Sequence, residues 1–350
     1  PRTADEIWSG RTHTTKFLWL ALAPFSLVYT IIIRLRNFLY SAQILPIFDP
    51  GIAVISVGNL TVGGTGKTPF VLWLAREMQK RRHRVGILLR GYKGHQKGTI
   101  VVGKNGRPLV TAYEAGDEAV MLAKNFVGPV IAGKDRVRAA RIAKDTFELD
   151  LLILDDGFQY RRLARTVDLL LIDMKKSTFN RWPLPAGPYR EPWSSRVRAD
   201  AIVLTKTSAP DREPKHSSPT PSVTQGQTYP NEMFSTRPAA SCLVHSTRGQ
   251  WQITSLNELT HRKVLLVSGI ADTSLFYAFV EQAEADIMEV MEFPDHHAYS
   301  QKDWQAINAA SHAYDLVVTT EKDLVKLERF PFEANKLVAL RMELQVDDAD

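Results

Sequence analysis

A glycine-rich stretch near residue 60 contains the residue types that hold nucleotide phosphates. Residues 58–70 read GNLTVGGTGKTPF and end in Gly66-Lys67-Thr68. In the pattern G-x-x-x-x-G-K-S/T, backbone N–H groups and the lysine bind phosphate oxygens, and the hydroxyl binds Mg²⁺. Thr61 replaces the first glycine, and we expect it at the mouth of the loop, where an extended backbone serves as well. The predicted nucleotide-binding residues are Thr61, Val62, Gly63, Gly64, Thr65, Gly66, Lys67 and Thr68.

Acidic residues that could serve a phosphate site occur at two places. LDLLILDDGFQ is an apolar run that leads into Asp155-Asp156. Adjacent carboxylates repel each other unless a cation compensates, so we expect at least one Mg²⁺ ligand here; the alternative is a cap on the following turn. In EAGDEAVML, Asp117 and Glu118 begin a predicted helix. Carboxylates there are common caps, but beside a phosphate loop one can accept the proton of an attacking hydroxyl.

Two further segments contain side chains of catalytic types. Arg190 lies in LPAGPYREPWSS, where a guanidinium either offsets the charge of a transferred phosphoryl group or belongs to a solvated turn. EFPDHHAYS contains Asp295, His296 and His297, with no third zinc ligand nearby. An Asp–His interaction or plain surface histidines are therefore favoured over a zinc site.

The elements that position these residues alternate between strand and helix from residue 52 onward. Strand runs that are apolar throughout are typical of strands buried on both faces, hence of a mostly parallel sheet with helices on both faces. Thr68-Pro69 suits a helix start, because proline lacks only an N–H that the first turn does not use. Strands are predicted at IAVISVGN, VGILLR, 129–132, 151–154, 167–172 and 201–204, and helices at about 69–83, 117–126 and 135–147.

A proline- and serine-rich stretch at about 207–230 interrupts this pattern and predicts a linker or a surface loop. SCLVHS and WQIT, which follow it, predict a hairpin. Alternation then returns with the strands KVLLVSGI, IMEVMEF, DLVVTT and KLVALRM and with helices near 273–284 and 301–313. The predicted division is an N-terminal segment (1–45), a phosphate-loop domain (46–206), a linker with a hairpin (207–262) and a smaller α/β domain (263–350).

An uncharged apolar run, FLWLALAPFSLVYTIII at 17–33, is flanked by Arg11, Lys16, Arg34 and Arg36. It is shorter than the roughly 20 residues that a spanning helix needs and is interrupted by Pro24, so we expect a helix that lies in a membrane interface. Two alternatives stay open: a helix hairpin packed on the protein's own core, and a cleaved signal peptide with ALA at 21–23. Pro1 stands where a methionine is expected, so the natural start is left open.

Composition limits the class of protein without identifying it. A chain of 350 residues with 44% hydrophobic and 23% charged residues is expected to fold into two domains. The net charge of +6 favours anionic partners: nucleic acid, nucleotides, a phosphorylated substrate or an anionic bilayer. The single cysteine, Cys242, excludes an intramolecular disulfide and a cysteine-based zinc site.

In combination, these motifs resemble one known family. SVGNLTVGGTGKTP, LLRGYKG, AGDE, LDDGFQ, LPAGPYREP, FPDHHAYS and TTEKDLVKL occur in this order, and the resemblance is to tetraacyldisaccharide 4'-kinase, the lipid A 4'-kinase of Gram-negative bacteria. It covers the chain from IWSG to about residue 344. It implies a P-loop kinase-like, mostly parallel α/β fold, a second smaller α/β domain joined by a two-stranded linker, and an N-terminal membrane-associating helix.

The resemblance also implies an activity and its residues. The γ-phosphate of ATP, with Mg²⁺, would pass to the 4'-hydroxyl of tetraacyldisaccharide 1-phosphate at the cytoplasmic face of the inner membrane, forming lipid IVA; nucleic acid would not be a partner. The implied roles are Lys67 and Thr68 at the phosphates and metal, Asp155, Asp156 and Glu191 around Mg²⁺, Asp117 as the base with His296 assisting, and Arg190 near the transferred group.

Two other functions remain as alternatives. LTKT and TTEKD each follow a predicted strand and faintly resemble guanine-reading motifs, which would suit a P-loop GTPase or metallochaperone. A non-catalytic nucleotide sensor on a membrane would need the loop and the N-terminal segment but not Asp117.

Overall fold

The computed structural model describes residues 8, 13–92, 94–174, 180–205, 232–247 and 249–347. The predicted proline- and serine-rich linker at 207–230 lies outside them. The chain divides into two compact units, the first made of 1–71, 149–237 and 346–350, the second of 72–148 and 238–345. The four-part division made from sequence stays a prediction.

The elements are given in chain order. The first half contains α1 (His13–Ser41), β1 (Ala53–Asn59), α2 (Lys67–Lys80), β2 (Val85–Leu89), β3 (Ile100–Lys104), β4 (Arg107–Pro108), α3 (Ala112–Ala115), α4 (Asp117–Asn125), β5 (Val130–Ala132), α5 (Arg136–Phe147), β6 (Leu151–Asp155) and β7 (Val167–Asp173). The second half contains β8 (Ala201–Thr205), β9 (Glu232–Thr247), β10 (Gln250–Thr254), β11 (Lys263–Ser268), α6 (Ser274–Gln282), β12 (Asp286–Glu292), α7 (Gln301–Ser311), β13 (Leu316–Thr320), α8 (Glu321–Leu327) and β14 (Leu337–Asp347). Short 3₁₀ helices occupy Trp193–Arg198 and Leu256–Leu259.

The first unit contains a parallel sheet in the order β6-β1-β7-β8-β9. The β1 and β6 strands pair from Ala53–Leu151 to Val57–Asp155, so the loop after β1 and the acidic pair at the end of β6 lie at the same edge of the sheet. Gly58 permits a close approach there, because a Cβ atom on it would lie 2.5 Å from the Cβ atom of Phe158. The predicted mostly parallel sheet is confirmed.

In the second unit, strands β2, β5, β3 and β4 combine parallel and antiparallel pairing. Strands β2 and β5 are parallel, and β3 is antiparallel to both β5 and β4. The β3–β4 hairpin was not predicted, although its turn is Asn105-Gly106, the dipeptide that favours a type I′ turn. Both residues have positive φ, 54° and 69°, as that turn requires.

A three-layer arrangement forms the rest of the second unit. Strands β12, β11, β13 and β14 run in that order and are parallel. On one face, Leu265 and Val267 of β11 pack with Ile307 of α7 and Leu324 of α8. On the other face, Val264 and Leu266 of β11 pack with Phe276 of α6. Strands β11 and β13 are thus buried on both faces, whereas β12 lies at the edge and keeps exposed side chains such as Met288 and Val290. The β9–β10 hairpin is also confirmed, whereas α8 was not predicted.

In the N-terminal helix α1, polar side chains contact the protein and apolar side chains face outward, the reverse of an ordinary surface helix. It runs unbroken through Pro24, so the predicted interruption is wrong, and so is the hairpin packed on a core. Its protein-facing stripe contains Ser26, whose hydroxyl donates to the Pro183 carbonyl over 2.6 Å, and Tyr29, whose hydroxyl donates to the Arg190 carbonyl over 2.8 Å. Exposed apolar side chains cover the opposite face: Phe17, Leu18, Leu20, Phe25, Leu27, Val28, Ile31, Ile32, Leu35 and Phe38.

Candidate functional sites: the phosphate loop and the Asp117–His296 cluster

The phosphate loop connects the end of β1 to the start of α2, as predicted. Gly63 and Gly66 have φ of 98° and 78°, conformations that favour glycine. Thr61 forms an isolated antiparallel bridge with Tyr189 and does not have a positive φ. This position therefore needs extended backbone rather than glycine, and the departure from the full pattern has a structural reason.

Lys67 begins α2 and is oriented by Asn59, a residue that the sequence analysis did not select. The Lys67 Nζ atom donates to Asn59 Oδ1 over 3.2 Å, while Asn59 Nδ2 donates to the Thr65 hydroxyl over 2.9 Å. Asn59 is fully buried. A buried amide at the end of an apolar strand is the signal that could have identified it, because buried polar groups are normally hydrogen-bonded.

The two adjacent carboxylates at the end of β6, Asp155 and Asp156, have different partners. The Thr68 hydroxyl donates to Asp155 Oδ2 over 3.0 Å. Asp156 has a left-handed backbone conformation with φ of 56°. Arg190 Nη1 donates to both of its carboxylate oxygens, at 2.8 and 2.9 Å. Lys67 Nζ lies 3.5 Å from Asp156 Oδ1. The predicted group of Lys67, Thr68, Asp155, Asp156 and Arg190 is thus brought together within the first unit.

Part of this group fits a magnesium ion. Mg²⁺ prefers oxygen ligands and is usually held by one or two carboxylates, with phosphates and water completing the shell. The Thr68 hydroxyl and the Asp155 carboxylate are already within hydrogen-bonding distance, and the Asp156 carboxylate follows directly. These oxygens match the hydroxyl and aspartate that hold Mg²⁺ in phosphate-loop enzymes.

Glu191 differs from the other three predicted metal ligands. Its carboxylate is fully buried and is surrounded by donors: Arg36 and Asn37 of α1 at 3.0 and 2.8 Å, and Arg198 at 2.7 Å. Burial raises the pKa of Glu191, but the hydrogen bond and charge of Arg198 outweigh this, and the pKa lies below its usual range. These contacts are those of an ionised tether for α1, and the metal role of Glu191 stays a prediction.

Asp117 and His296, predicted as base and assistant, are in direct contact within the second unit. Asp117 is the first residue of α4, and His296 Nδ1 lies 3.1 and 3.0 Å from its two carboxylate oxygens. Burial would raise the pKa of Asp117, but the His296 hydrogen bond and the positive charges nearby lower it to about 2. Asp117 is therefore ionised at neutral pH.

Two lysines of α8 complete this cluster, and the sequence analysis did not select them. Lys322 Nζ lies 3.1 Å from His296 Nε2, and Lys326 Nζ lies 3.6 Å from Asp117 Oδ2. Their spacing of four residues in TTEKDLVKL places both on one helix face, which is the signal that could have identified them had α8 been predicted. Residues Asp117, His296, Lys322 and Lys326 are called the Asp117 cluster below.

The neighbouring histidine makes a similar contact outside the Asp117 cluster. His297 Nε2 lies 3.0 Å from Asp303 Oδ2, and Asp303 caps the start of α7 through Ser300. Both histidines of FPDHHAYS thus contact an aspartate, but the partners Asp117 and Asp303 lie outside that segment, and Asp295 Oδ2 lies 3.9 Å from His296 Nε2.

Comparison with known proteins gives one family over nearly the whole chain. The family model described as tetraacyldisaccharide-1-P 4'-kinase matches residues 18–350. A tetraacyldisaccharide 4'-kinase from Pelobacter propionicus is 36% identical over 343 residues, 97% of this chain and 91% of that protein. The protein of that name from Halothermothrix orenii is 34% identical over 335 residues, 91% of this chain and 85% of that protein.

A solved structure agrees with this result. The crystal structure of LpxK from Aquifex aeolicus in complex with ATP matches with a TM-score of 0.76 and 33% identity, covering 95% of this chain and 96% of that one. The family predicted from the motifs is therefore confirmed: this chain belongs to the tetraacyldisaccharide-1-phosphate 4'-kinase family.

Proposed function

We propose that this protein transfers the γ-phosphate of ATP to the 4'-hydroxyl of a tetraacyldisaccharide 1-phosphate, a step of lipid A biosynthesis that forms lipid IVA. The observation that supports it most directly is the phosphate loop, whose Thr68 hydroxyl contacts Asp155, in a chain whose relatives along nearly its full length are tetraacyldisaccharide 4'-kinases. The substrate is a lipid with anionic groups, which agrees with the net positive charge. Nucleic acid is not a proposed partner.

The phosphate loop would hold ATP through groups that are now paired within the protein. Lys67 and Arg190 both contact Asp156, so incoming phosphate oxygens would compete with Asp156 for these cations. Backbone N–H groups of the loop and the start of α2 add fixed positive dipoles. Magnesium, held by Thr68, Asp155 and Asp156, would neutralise phosphate charge as it does in phosphate-loop enzymes generally.

Asp117 would accept the proton of the attacking 4'-hydroxyl. The carboxylate is ionised at neutral pH because its pKa lies near 2, so it is always ready to accept a hydrogen bond from the substrate. Its low pKa makes it a weak base, and its main contribution is then orientation of the hydroxyl, with proton transfer late in the reaction. His296 would fix the direction in which the carboxylate points.

The outward face of α1 would contact the inner-membrane surface on its cytoplasmic side. The helix Thr15–Ser41 is apolar enough to cross a membrane by length and composition, yet its inner stripe is bound to the protein through Ser26, Tyr29 and Arg36. A helix fixed along one side and apolar along the other suits a monotopic position in the interface. The acyl chains of the substrate could then stay in the bilayer.

The GTPase alternative has less support. In TTEKD, Asp323 would have to face a guanine, but its carboxylate is fully buried and receives hydrogen bonds from the Gly269 N–H and the Thr320 hydroxyl. The other motif, LTKT, extends beyond the described residues after Thr205. No observation in the described part of the chain favours this alternative.

The direct test is incubation of the protein with ATP labelled on the γ-phosphate and tetraacyldisaccharide 1-phosphate in mixed micelles. We expect a labelled lipid with one additional phosphate, and no comparable product from GTP. Release of labelled inorganic phosphate without any labelled lipid would overturn the proposal. The same experiment without the lipid acceptor measures background hydrolysis.

Replacement of Asp117 separates a kinase from a nucleotide sensor. We expect Asp117→Asn to lower kcat by about 100-fold or more, since a positioned proton acceptor contributes roughly that much, while the Kd for ATP stays unchanged. Asp303→Asn is the matched control, because Asp303 also contacts a histidine at 3.0 Å; its kcat should stay near the wild-type value. An Asp117→Asn protein with normal turnover would exclude the role of base.

Metal titration tests the assignment of ligands. We expect Asp155→Asn to raise the Mg²⁺ concentration needed for half-maximal ATP binding by about 10-fold or more, as loss of a ligand does. Glu191→Gln should leave that concentration unchanged but lower the Tm, because Arg36 and Arg198 lose a buried partner. An equal rise in the Mg²⁺ requirement for Glu191→Gln would show that Glu191 is a ligand after all.

Vesicle sedimentation tests the membrane face of α1. We expect the triple change Leu20→Ser, Phe25→Ser and Ile31→Ser to release most of the protein from vesicles that contain anionic lipid, because three exposed apolar side chains would no longer enter the bilayer. The control is Ile253→Ser, which removes an equally exposed apolar side chain from β10 and should not change sedimentation. Unchanged binding of the triple variant would contradict the proposed contact.

A further inference from the structure

We propose that Lys322 is a positioning residue that holds the His296 imidazole in the tautomer protonated on Nδ1, so that His296 always presents an N–H to Asp117. The catalytic consequence of this inference rests on the proposed function, whereas the tautomer itself does not. His296 then acts as a hydrogen-bond donor to the carboxylate and does not accept the substrate's proton.

The tautomer follows from the donors and acceptors around the ring. A lysine ammonium offers three donors and no acceptor, and Lys322 Nζ lies 3.1 Å from His296 Nε2. Nε2 must therefore accept and be without a proton. In neutral imidazole the proton is then on Nδ1, which lies 3.0 Å from Asp117 Oδ2, so both ring nitrogens have partners that match.

The positions of both side chains are fixed by other contacts. The His296 backbone has φ of 60° and its N–H donates to the Gly269 carbonyl over 3.1 Å. The ring makes an edge contact with Tyr92 at 5.6 Å between centroids. Lys322 is held by Asp295 at 3.0 Å and lies 3.9 Å from Glu118. The ammonium thus keeps its place beside Nε2 without needing the histidine to hold it.

Lys326 serves as a control for Lys322, because both lysines lie on the same face of α8. It is one helical turn further along α8, 3.6 Å from Asp117 and 2.9 Å from Asp323, and its described contacts do not include the His296 ring. Both lysines lower the pKa of Asp117, but only Lys322 touches the imidazole. Removal of either lysine changes the charge near Asp117, and only removal of Lys322 should change the tautomer.

The opposite tautomer would be unfavourable for the proposed reaction. With the proton on Nε2, the Nδ1 lone pair would face the Asp117 carboxylate, and the hydrogen bond that orients the carboxylate would be lost. Among the described residues, the charged and titratable groups that face this pair are Tyr92 of the loop after β2, Glu118 of α4, Asp295 of the loop before α7, and Lys322, Asp323 and Lys326 of α8.

Nitrogen-15 NMR of protein labelled at histidine tests the tautomer directly, with the His296→Asn spectrum identifying the His296 signals. We expect wild type and Lys326→Met to show an Nδ1–H tautomer, because imidazole nitrogens with and without a proton have well-separated shifts. Lys322→Met should show a mixture or the Nε2–H form. An Nε2–H tautomer in the wild type, or an unchanged Nδ1–H tautomer in Lys322→Met, would overturn the inference.

Kinetics then test the consequence for the reaction. We expect Lys322→Met to lower kcat by about 10-fold, part of the roughly 100-fold that a positioned proton acceptor supplies, with the KM for ATP unchanged. The acid limb of the kcat/KM profile should move to higher pH, because loss of a positive charge raises the pKa of Asp117, and Lys322→Arg should restore most of the activity. An unchanged kcat in Lys322→Met would show that the tautomer does not matter for the reaction.

The two arms distinguish failure of this inference from failure of the proposed function. If the protein phosphorylates no lipid, the proposed function is wrong, while the wild-type NMR spectrum, assigned with His296→Asn, still decides the tautomer without any measurement of activity. If lipid is phosphorylated and the spectrum shows Nε2–H, only the role of Lys322 is wrong.

Discussion

Parallel pairing of β1 with β6 is the constraint on which the nucleotide chemistry depends. Five residue pairs, from Ala53–Leu151 to Val57–Asp155, align the ends of two strands that are about a hundred residues apart in the chain. Gly58 and Phe158 then approach so closely that no side chain fits between them. The Thr68 hydroxyl meets Asp155 because this register brings the carboxyl ends of both strands to the same edge of the sheet.

Charge compensation explains how the acidic side chains of these sites can lie close together or be buried. Adjacent carboxylates at 155 and 156 avoid mutual repulsion because a hydroxyl contacts the first, and two cations contact the second. Glu191 and Asp117 are likewise buried only in the presence of guanidinium, ammonium or imidazole donors. Burying a lone carboxylate is strongly unfavourable, so each of these positions requires its partners.

Sequence reasoning recovered the parts of the site that depend on local order. Thr68 and Asp155 could be predicted together because each follows an apolar strand, and carboxyl ends of parallel strands share an edge. Arg36 and Lys322 could not be assigned roles in this way, since their partners Glu191 and His296 are set by tertiary packing rather than by spacing. Glu191 is a residue for which local sequence and tertiary contacts point to different roles. Its type and place suggest a metal ligand, while its four donor contacts come from α1 and from Arg198.

The fixed inner stripe of α1 has a consequence for how the first unit meets an apolar phase. Most amphipathic helices on membranes can rotate about their long axis until lipid selects the angle. Here three side chains, Ser26, Tyr29 and Arg36, set that angle through contacts with the segment from Pro183 to Glu191. The direction in which the apolar face looks is therefore set by the protein itself, and α1 has no free rotation about its own axis within the first unit that docking on lipid would remove.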